Sequence, residues 1–428
     1  MNKKELGLME LIAIALGGMV GGGIFAILGI SVDHIGNATP IAILIGGILA
    51  LFAAYSYVKL AGLYEDEGAT YAFYKKTFPK SKFASSAIGW LIVFGYISTL
   101  SLYAYTFSSY LVSVLPFDSS SGLIKLVAMG IILLFAMVNI FSVKGMGKIE
   151  DIMVYTKLVV LLFISGLLAG KGSIEKMKPI FEESTTLSSI VIVASLTFVA
   201  YEGFQLVIHA YNEMDNPKKN IPRAIYSSII LATLLYVVLS IGALASIPKE
   251  LIIQDQEYAL AAGAEQILGK LGLFLVILGA LLATSSAISG TLFGASRLMA
   301  RIADDGYFPK VFAKRIKTHI PKNAIIIMGL FAFILIISGG LQSLLEFGSI
   351  TFIIVSFLMA YANFVKRKET KSRPIFTVIA MIGLFIAAVS IFWFEYHENK
   401  FQLIVILSIY AVIMIASYLY SRKSIHSR

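Results

Sequence analysis

The chain has 428 residues, of which 58% are hydrophobic and 14% charged, and its mean hydropathy is +0.85. Soluble domains average roughly 45–50% apolar and about 25% charged residues, so a soluble globular protein, a disordered chain and a secreted disulfide scaffold are all excluded. The formal net charge is +10 and there are no cysteines, which removes disulfides, thiolate metal sites, cysteine nucleophiles and any disulfide-linked subunit.

What remains is an all-α polytopic membrane protein. A membrane helix needs about 20 apolar residues, and apolar runs fall at roughly 8–30, 39–63, 84–115, 122–143, 149–170, 187–211, 223–247, 260–298, 323–342, 344–365, 374–394 and 401–420. These predict about twelve transmembrane helices in one domain. The run at 260–298 is longer than one crossing and is expected to project beyond the bilayer at one end. The first run is full length and leads directly into further spans, so no cleavable signal peptide is expected. With the N-terminus placed in the cytoplasm, 27 of the 35 Lys and Arg residues face the cytoplasm and 7 face outward, with Lys157 inside an apolar run. That asymmetry predicts cytoplasmic N- and C-termini. It also accounts for the net charge without a nucleic-acid partner. There is no HExxH pair, Walker loop or nucleotide fingerprint, so neither cofactor nor metal is expected.

In chain order, the first unusual element is Gly17-Gly18-Met19-Val20-Gly21-Gly22-Gly23-Ile24-Phe25 in the first span. Glycine costs about 1 kcal/mol relative to alanine in a helix. The run fits close packing through small residues or a broken helix whose free amides and carbonyls face a cavity. Free amides at the start of a second half-helix attract an anion such as a carboxylate. In the fifth span, Lys157 lies ~12 Å inside the run at about 1.5 Å per residue. It reads as a proton carrier, or as a lysine that pairs with a carboxylate or reaches the interface.

The sixth span holds Phe198-Val199-Ala200-Tyr201-Glu202-Gly203-Phe204, an acid and a glycine among aromatics. An acid at such depth costs roughly 2.5–3.5 kcal/mol and reads as functional by default; a protonated or paired packing role is the alternative. The loop Asn216 to Ile225, with Pro217 and Pro222, marks a basic turn into the seventh span. In the eighth span, Thr284-Ser285-Ser286 could cap packing, ligate sodium or hydrogen-bond Lys157. Interruptions in the first and sixth spans suggest five plus five helices and an inverted-repeat secondary transporter. Two free backbone sites near the midplane suit a zwitterion.

This ordered set resembles the amino acid–polyamine–organocation superfamily, and within it the prokaryotic proton-coupled amino-acid permeases. The matching elements are Gly21 to Phe25, Phe198 to Phe204, the Asn216–Ile225 loop, Gly279 to Ser286, Gly294 to Arg297 and Ala303 to Gly306. The resemblance implies a 5+5 inverted-repeat core with discontinuous helices 1 and 6, plus two C-terminal helices. Its first repeat would cover 1–170 and its second 187–342, with 344–428 holding the last spans. It implies that a substrate carboxylate meets amides around Gly21, Gly22, Gly23 and Ile24, and that the ammonium meets carbonyls of Met19, Val199 and Glu202. Phe198, Tyr201 and Phe204 would shape the pocket. Lys157 would take the place of sodium, with Ser285 and Ser286 beside it. Many members carry an apolar residue or glycine where this chain has Glu202, which leaves a cationic substrate or a second protonation site open.

The expected function is therefore an amino acid:proton symporter in the plasma membrane, with an amino acid, the proton and lipid as its partners. Exchange without ion coupling, cationic amino acid or polyamine transport, and a non-transporting sensor are the alternatives. An enzyme is not expected, because no nucleophile–base set is visible in the spans.

Overall fold

The computed structural model describes residues 6–116, 120–141, 143–182, 185–256, 258–315 and 320–423, with side chains described outside 143–151 and 423. Of the basic residues used for orientation, Lys3, Lys4, Lys317 and Arg428 lie outside the described residues, as do the side chains of Lys144, Lys148 and Lys423.

Sixteen α-helices follow one another: α1 (Leu8–Met19), α2 (Gly23–Ile35), α3 (Thr39–Tyr64), α4 (Ala69–Thr77), α5 (Lys82–Val112), α6 (Ser121–Phe141), α7 (Val143–Lys171), α8 (Leu187–Leu196), α9 (Leu206–His209), α10 (Pro217–Ser246), α11 (Lys249–Gln254), α12 (Ala259–Asp304), α13 (Lys322–Ser338), α14 (Leu341–Val365), α15 (Pro374–Glu398) and α16 (Lys400–Lys423). Among the described residues, ten helical stretches are long and apolar enough to cross a membrane, one of them made by α2 and α3 together. The shorter apolar helices α1 and α13 bring the segments to the twelve expected. At 1.5 Å per residue α1 is ~18 Å long, well short of the roughly 30 Å hydrocarbon core. It completes a crossing only with α2, and α8 likewise needs α9 beyond it.

The chain is thus a multi-pass, all-α membrane protein with discontinuous first and sixth spans. Those two lie at the head of successive groups of five spans, and α15 and α16 close the chain. The long α5 runs through the middle of the bundle and touches α12, α13, α14 and α16.

Two local expectations are refined. The run at 260–298 is not one overlong helix. It breaks at Gly269, whose backbone sits at φ 67°, ψ −160°, a conformation open to glycine alone without strain. The turn into the seventh span is also shorter than the two prolines suggested. Asn216 makes the turn, at φ 42°. Pro217 then takes the first helical position, where its missing N–H costs nothing, and Pro222 sits inside the opening turns of α10.

The ends of the bundle differ. At one, basic side chains gather with acids: Lys75 with Asp305 (2.7 Å), Lys76 with Asp66 (2.6 Å), Lys218 with Glu65 (2.8 Å) and Arg315 with Asp304 (3.2 Å). At the other, Lys249 pairs with Glu182 (2.6 Å) and Gln256 Nε2 donates to Asp33 (2.9 Å). There α11 packs on α2.

Candidate functional site

The glycines of the first span end α1 where they were expected to. Val20 leaves the helical region at ψ 71°, and α2 restarts at Gly23. The first amides of a helix have no partner within it, and here they belong to Gly23, Ile24 and Phe25. The last carbonyls of α1 likewise lose the next helical turn, and Leu16 O and Met19 O accept instead from Val20 N–H (2.8 Å) and Gly21 N–H (2.9 Å). In the sixth span α8 stops at Leu196, a 3-10 turn covers Thr197–Tyr201, Glu202 is extended, and Gly203 has φ 128°. Both broken-helix readings therefore hold, and the glycines of the first span also pack closely, a Cβ on Gly18 lying 2.5 Å from Leu206 and one on Gly23 3.1 Å from Ala200.

The two breaks touch. A Cβ built on Gly203 would lie 2.5 Å from the carbonyl carbon of Gly18 and 2.7 Å from Met19 N. Only glycine permits both this approach and the positive φ. Tyr236 of α10 joins the same two strands of backbone: its hydroxyl lies 2.8 Å from Met19 O and 3.1 Å from Ala200 O, donating to both acceptors in turn or at once. At the basic end the interrupted spans are tied again. Leu6 N–H donates to Glu213 O (2.8 Å), and Asp215 N–H donates to Leu6 O (3.1 Å). His209 Nδ1 bonds the Glu67 carbonyl at 2.7 Å, a structural tie.

Lys157 is fully buried. Its Nζ donates to Gly17 O and to Ser286 Oγ, each at 2.8 Å. The break in α1 leaves the Gly17 carbonyl at the negative end of that half-helix, and the ammonium sits on it. One side chain of α7 so joins the end of α1 to the middle of α12. Ser286 also donates to Ala283 O at 3.0 Å. Ser285, about 100° further round the helix at 3.6 residues per turn, is only half-buried and faces no part of the cavity.

A cavity of about 1160 Å³ leads in from the basic end, past Glu67 and Arg301, to a floor at Gly17, Gly18, Glu202, Gly203 and Ser286. At the opposite end the bundle is closed by α11 against α2 and by an edge-to-face contact of Phe25 with Tyr110, centroids 5.4 Å apart. Of the candidate substrate residues, only Glu202 lines this cavity. Met19, Gly21, Gly22, Gly23, Ile24, Phe198, Val199, Tyr201 and Phe204 are buried beyond the floor. The reasons are local. Tyr103 of α5 lies over Gly21 and Gly22, with its ring atoms 3.0–3.1 Å from where their Cβ atoms would be. Tyr201 OH donates to Ile43 O on α3 at 2.7 Å, and Phe204 packs edge-on against Tyr57 at 5.2 Å. Both rings therefore face α3. Met19 O and Val199 O, expected to hold the substrate ammonium, already accept from Tyr236 and from Glu202 N–H (3.2 Å).

Three residues escaped the sequence reading: Tyr236, Tyr103 and Gln205. A tyrosine deep in an apolar run needs a partner for its hydroxyl, and that rule alone would have flagged the first two.

A glycine-broken span, a second broken span beside it and a buried lysine between them are now in place. The family model for amino acid permeases matches residues 6–418. The chain belongs to the amino acid permease family, within the amino acid–polyamine–organocation superfamily. It is 30% identical over 354 residues to the inner membrane transport protein YbaT of Escherichia coli, covering 82% of this chain and 81% of that one. It is 27% identical over 429 residues to an uncharacterized protein of Methanocaldococcus jannaschii, covering 99% and 96%. It is 27% identical over 359 residues to the large neutral amino acids transporter small subunit 2 of Mus musculus, covering 81% and 67%. This amino acid permease is accordingly a membrane transporter and not an enzyme.

Proposed function

We propose that this permease is an amino acid:proton symporter of the plasma membrane, and that its structure is the state open to the cytoplasm. The observation that carries the coupling is Lys157 held between Gly17 O and Ser286 Oγ. A protonated lysine is favoured at the free carbonyls of a half-helix C-terminus. A neutral one gives up that charge–dipole attraction. Protonation thus biases how firmly α1 is held to α12, and any substrate that also binds α1 becomes linked to the proton through the same helix.

The positive-inside asymmetry supports the orientation: the cavity opens where basic side chains collect, and α11 seals the outward end. A zwitterion reaching the floor meets Glu202 and Gly18 first. The amides of Gly22, Gly23 and Ile24 come within reach once α1 parts from the Glu202–Gly203 turn, and they would take the carboxylate. Rocking of a unit in 1–170 against a unit in 187–342, with 344–428 completing the bundle, would expose the site to each side in turn.

The test is uptake of the common amino acids by proteoliposomes under an imposed inward proton gradient. Accumulation in sodium-free buffer that collapses with the gradient supports symport. Uptake that needs sodium, or counterflow that requires internal substrate and ignores the gradient, overturns it.

A further inference from the structure

The cavity floor carries one group that proton coupling at Lys157 leaves unused. Glu202 is 3% exposed. Its Oε2 accepts from Gln205 Nε2 at 2.9 Å, and Gln205 Oε1 accepts from Gly203 N–H at 3.1 Å. The Gln205 amide is therefore pinned to the backbone of the break and in turn fixes the rotamer of the carboxylate. The other oxygen, Oε1, is buried and has no hydrogen-bond partner among the described residues.

The cations around the cavity are occupied elsewhere. Arg297 donates to Phe293 O (2.7 Å) and stacks on the Phe293 ring at 3.4 Å. Arg301 lies 3.6 Å from Asp66, and Arg315 3.2 Å from Asp304. Lys157 does not line the cavity and donates to Gly17 and Ser286. No ion pair to Glu202 exists among the described residues. A buried carboxylate oxygen without a donor, on a residue that lines the cavity, is costly to keep. A pre-oriented one is an acceptor suited to a cation that arrives with the ligand. Aromatic faces stand beside it: Tyr96 and Phe352, in edge-to-face contact at 5.8 Å, both line the cavity, as does Tyr103. Such rings favour a cation as well.

Building on the amino-acid reading above, we propose that Glu202 determines specificity by accepting the second positive charge of the substrate, so that the permease favours amino acids whose side chain ends in an ammonium or guanidinium. The backbone of the breaks takes the α-carboxylate, and Glu202 takes the distal cation from the cytoplasmic side of the floor.

Lysine and norleucine test this, because they share a carbon skeleton and differ in the terminal ammonium. The experiment measures both apparent affinities by uptake into proteoliposomes and reads their ratio. In the wild type the ratio should favour lysine. A hydrogen bond to a charged group is worth about 1.5–3 kcal/mol, so E202Q should lower the ratio by roughly ten- to a hundredfold, and E202D should retain a preference for lysine. A wild type that prefers norleucine overturns the proposal, and this arm needs no variant. An unchanged ratio in E202Q overturns it too. An equal loss for both ligands, with a displaced pH profile, would make Glu202 a proton site instead. In these cases norleucine uptake leaves amino-acid transport standing. If neither compound is taken up and no other amino acid is, both readings fall.

Discussion

Removing the hydroxyl of Tyr236 tests whether the two broken helices are held as a unit. Tyr236→Phe keeps the ring, its burial and its packing against Tyr201, whose centroid is 5.6 Å away. It deletes only the donor that serves Met19 O and Ala200 O at 2.8 and 3.1 Å. Both carbonyls are buried; Met19 O keeps Gly21 N–H at 2.9 Å, so the cost of about 1–3 kcal/mol for an acceptor that loses its donor falls on Ala200 O. One hydrogen serves the two acceptors, so the expected loss is about 1–3 kcal/mol and not twice that. If the loss falls only on conformations in which the breaks are joined, their population drops about 5- to 150-fold. The assay is denaturation of purified protein in detergent, with Tyr396→Phe, an exposed tyrosine, as the neutral control. Uptake by proteoliposomes is measured alongside. A Tyr236→Phe protein within about 0.5 kcal/mol of wild type, the range of an ordinary surface change, and with unaltered uptake would refute the reasoning.

Further outcomes follow from the same geometry. Gly203→Ala puts a Cβ against Gly18 and Met19 at φ 128°; it should cost at least about 2 kcal/mol and abolish uptake, whereas Gly130→Ala, inside α6 where a Cβ meets nothing within 4 Å, should stabilise by up to about 1 kcal/mol in the same denaturation assay. Ser286→Ala takes one acceptor from Lys157 and should alter the pH dependence of uptake, while Ser285→Ala should leave that profile in place. Asp66 lies outside the spans. Burial opposes its ionisation, but hydrogen bonds from Lys76 and Gly68 N–H, with the charges of Lys76 and Arg301, hold its carboxyl below the usual range. Its stabilising contribution is therefore complete above about pH 4 and is lost as pH falls through its lowered value. Asp66→Asn should remove that acid-side slope in stability measured against pH.

Much of this architecture is legible in the residues because the bilayer punishes ambiguity. Five glycines within Gly17 to Gly23 weaken a helix, which breaks among them at Val20 to Gly22, and an acid beside a glycine at Glu202-Gly203 has no reason to lie in lipid. The sequence pattern thus placed both breaks and singled out Lys157, which is fully buried. The pairing of Lys157 with Ser286 and not Ser285 depends on helix phase, which a run of adjacent hydroxyls does not specify. Tyr236 escaped notice because its partners are backbone carbonyls far away in sequence, set free only once the helices break. The position of the aromatics was harder still. Phe198, Tyr201 and Phe204 look alike in a motif, yet a 3-10 turn rotates successive side chains differently from an α-helix, and it carries Tyr201 to α3. Which end of the bundle is open is a property of the conformation and leaves no mark in composition.

If Lys157 links a proton to the end of the first half-helix, proton movement itself is the most direct reading of that coupling. Proteoliposomes with a trapped pH dye and no imposed gradient or sodium should acidify inside when a transported amino acid is added. Lys157→Ala vesicles should show no acidification, even if they still bind that amino acid or exchange it. Acidification of equal size in the Lys157→Ala protein, or substrate entry into wild-type vesicles with no change in internal pH, would contradict the account.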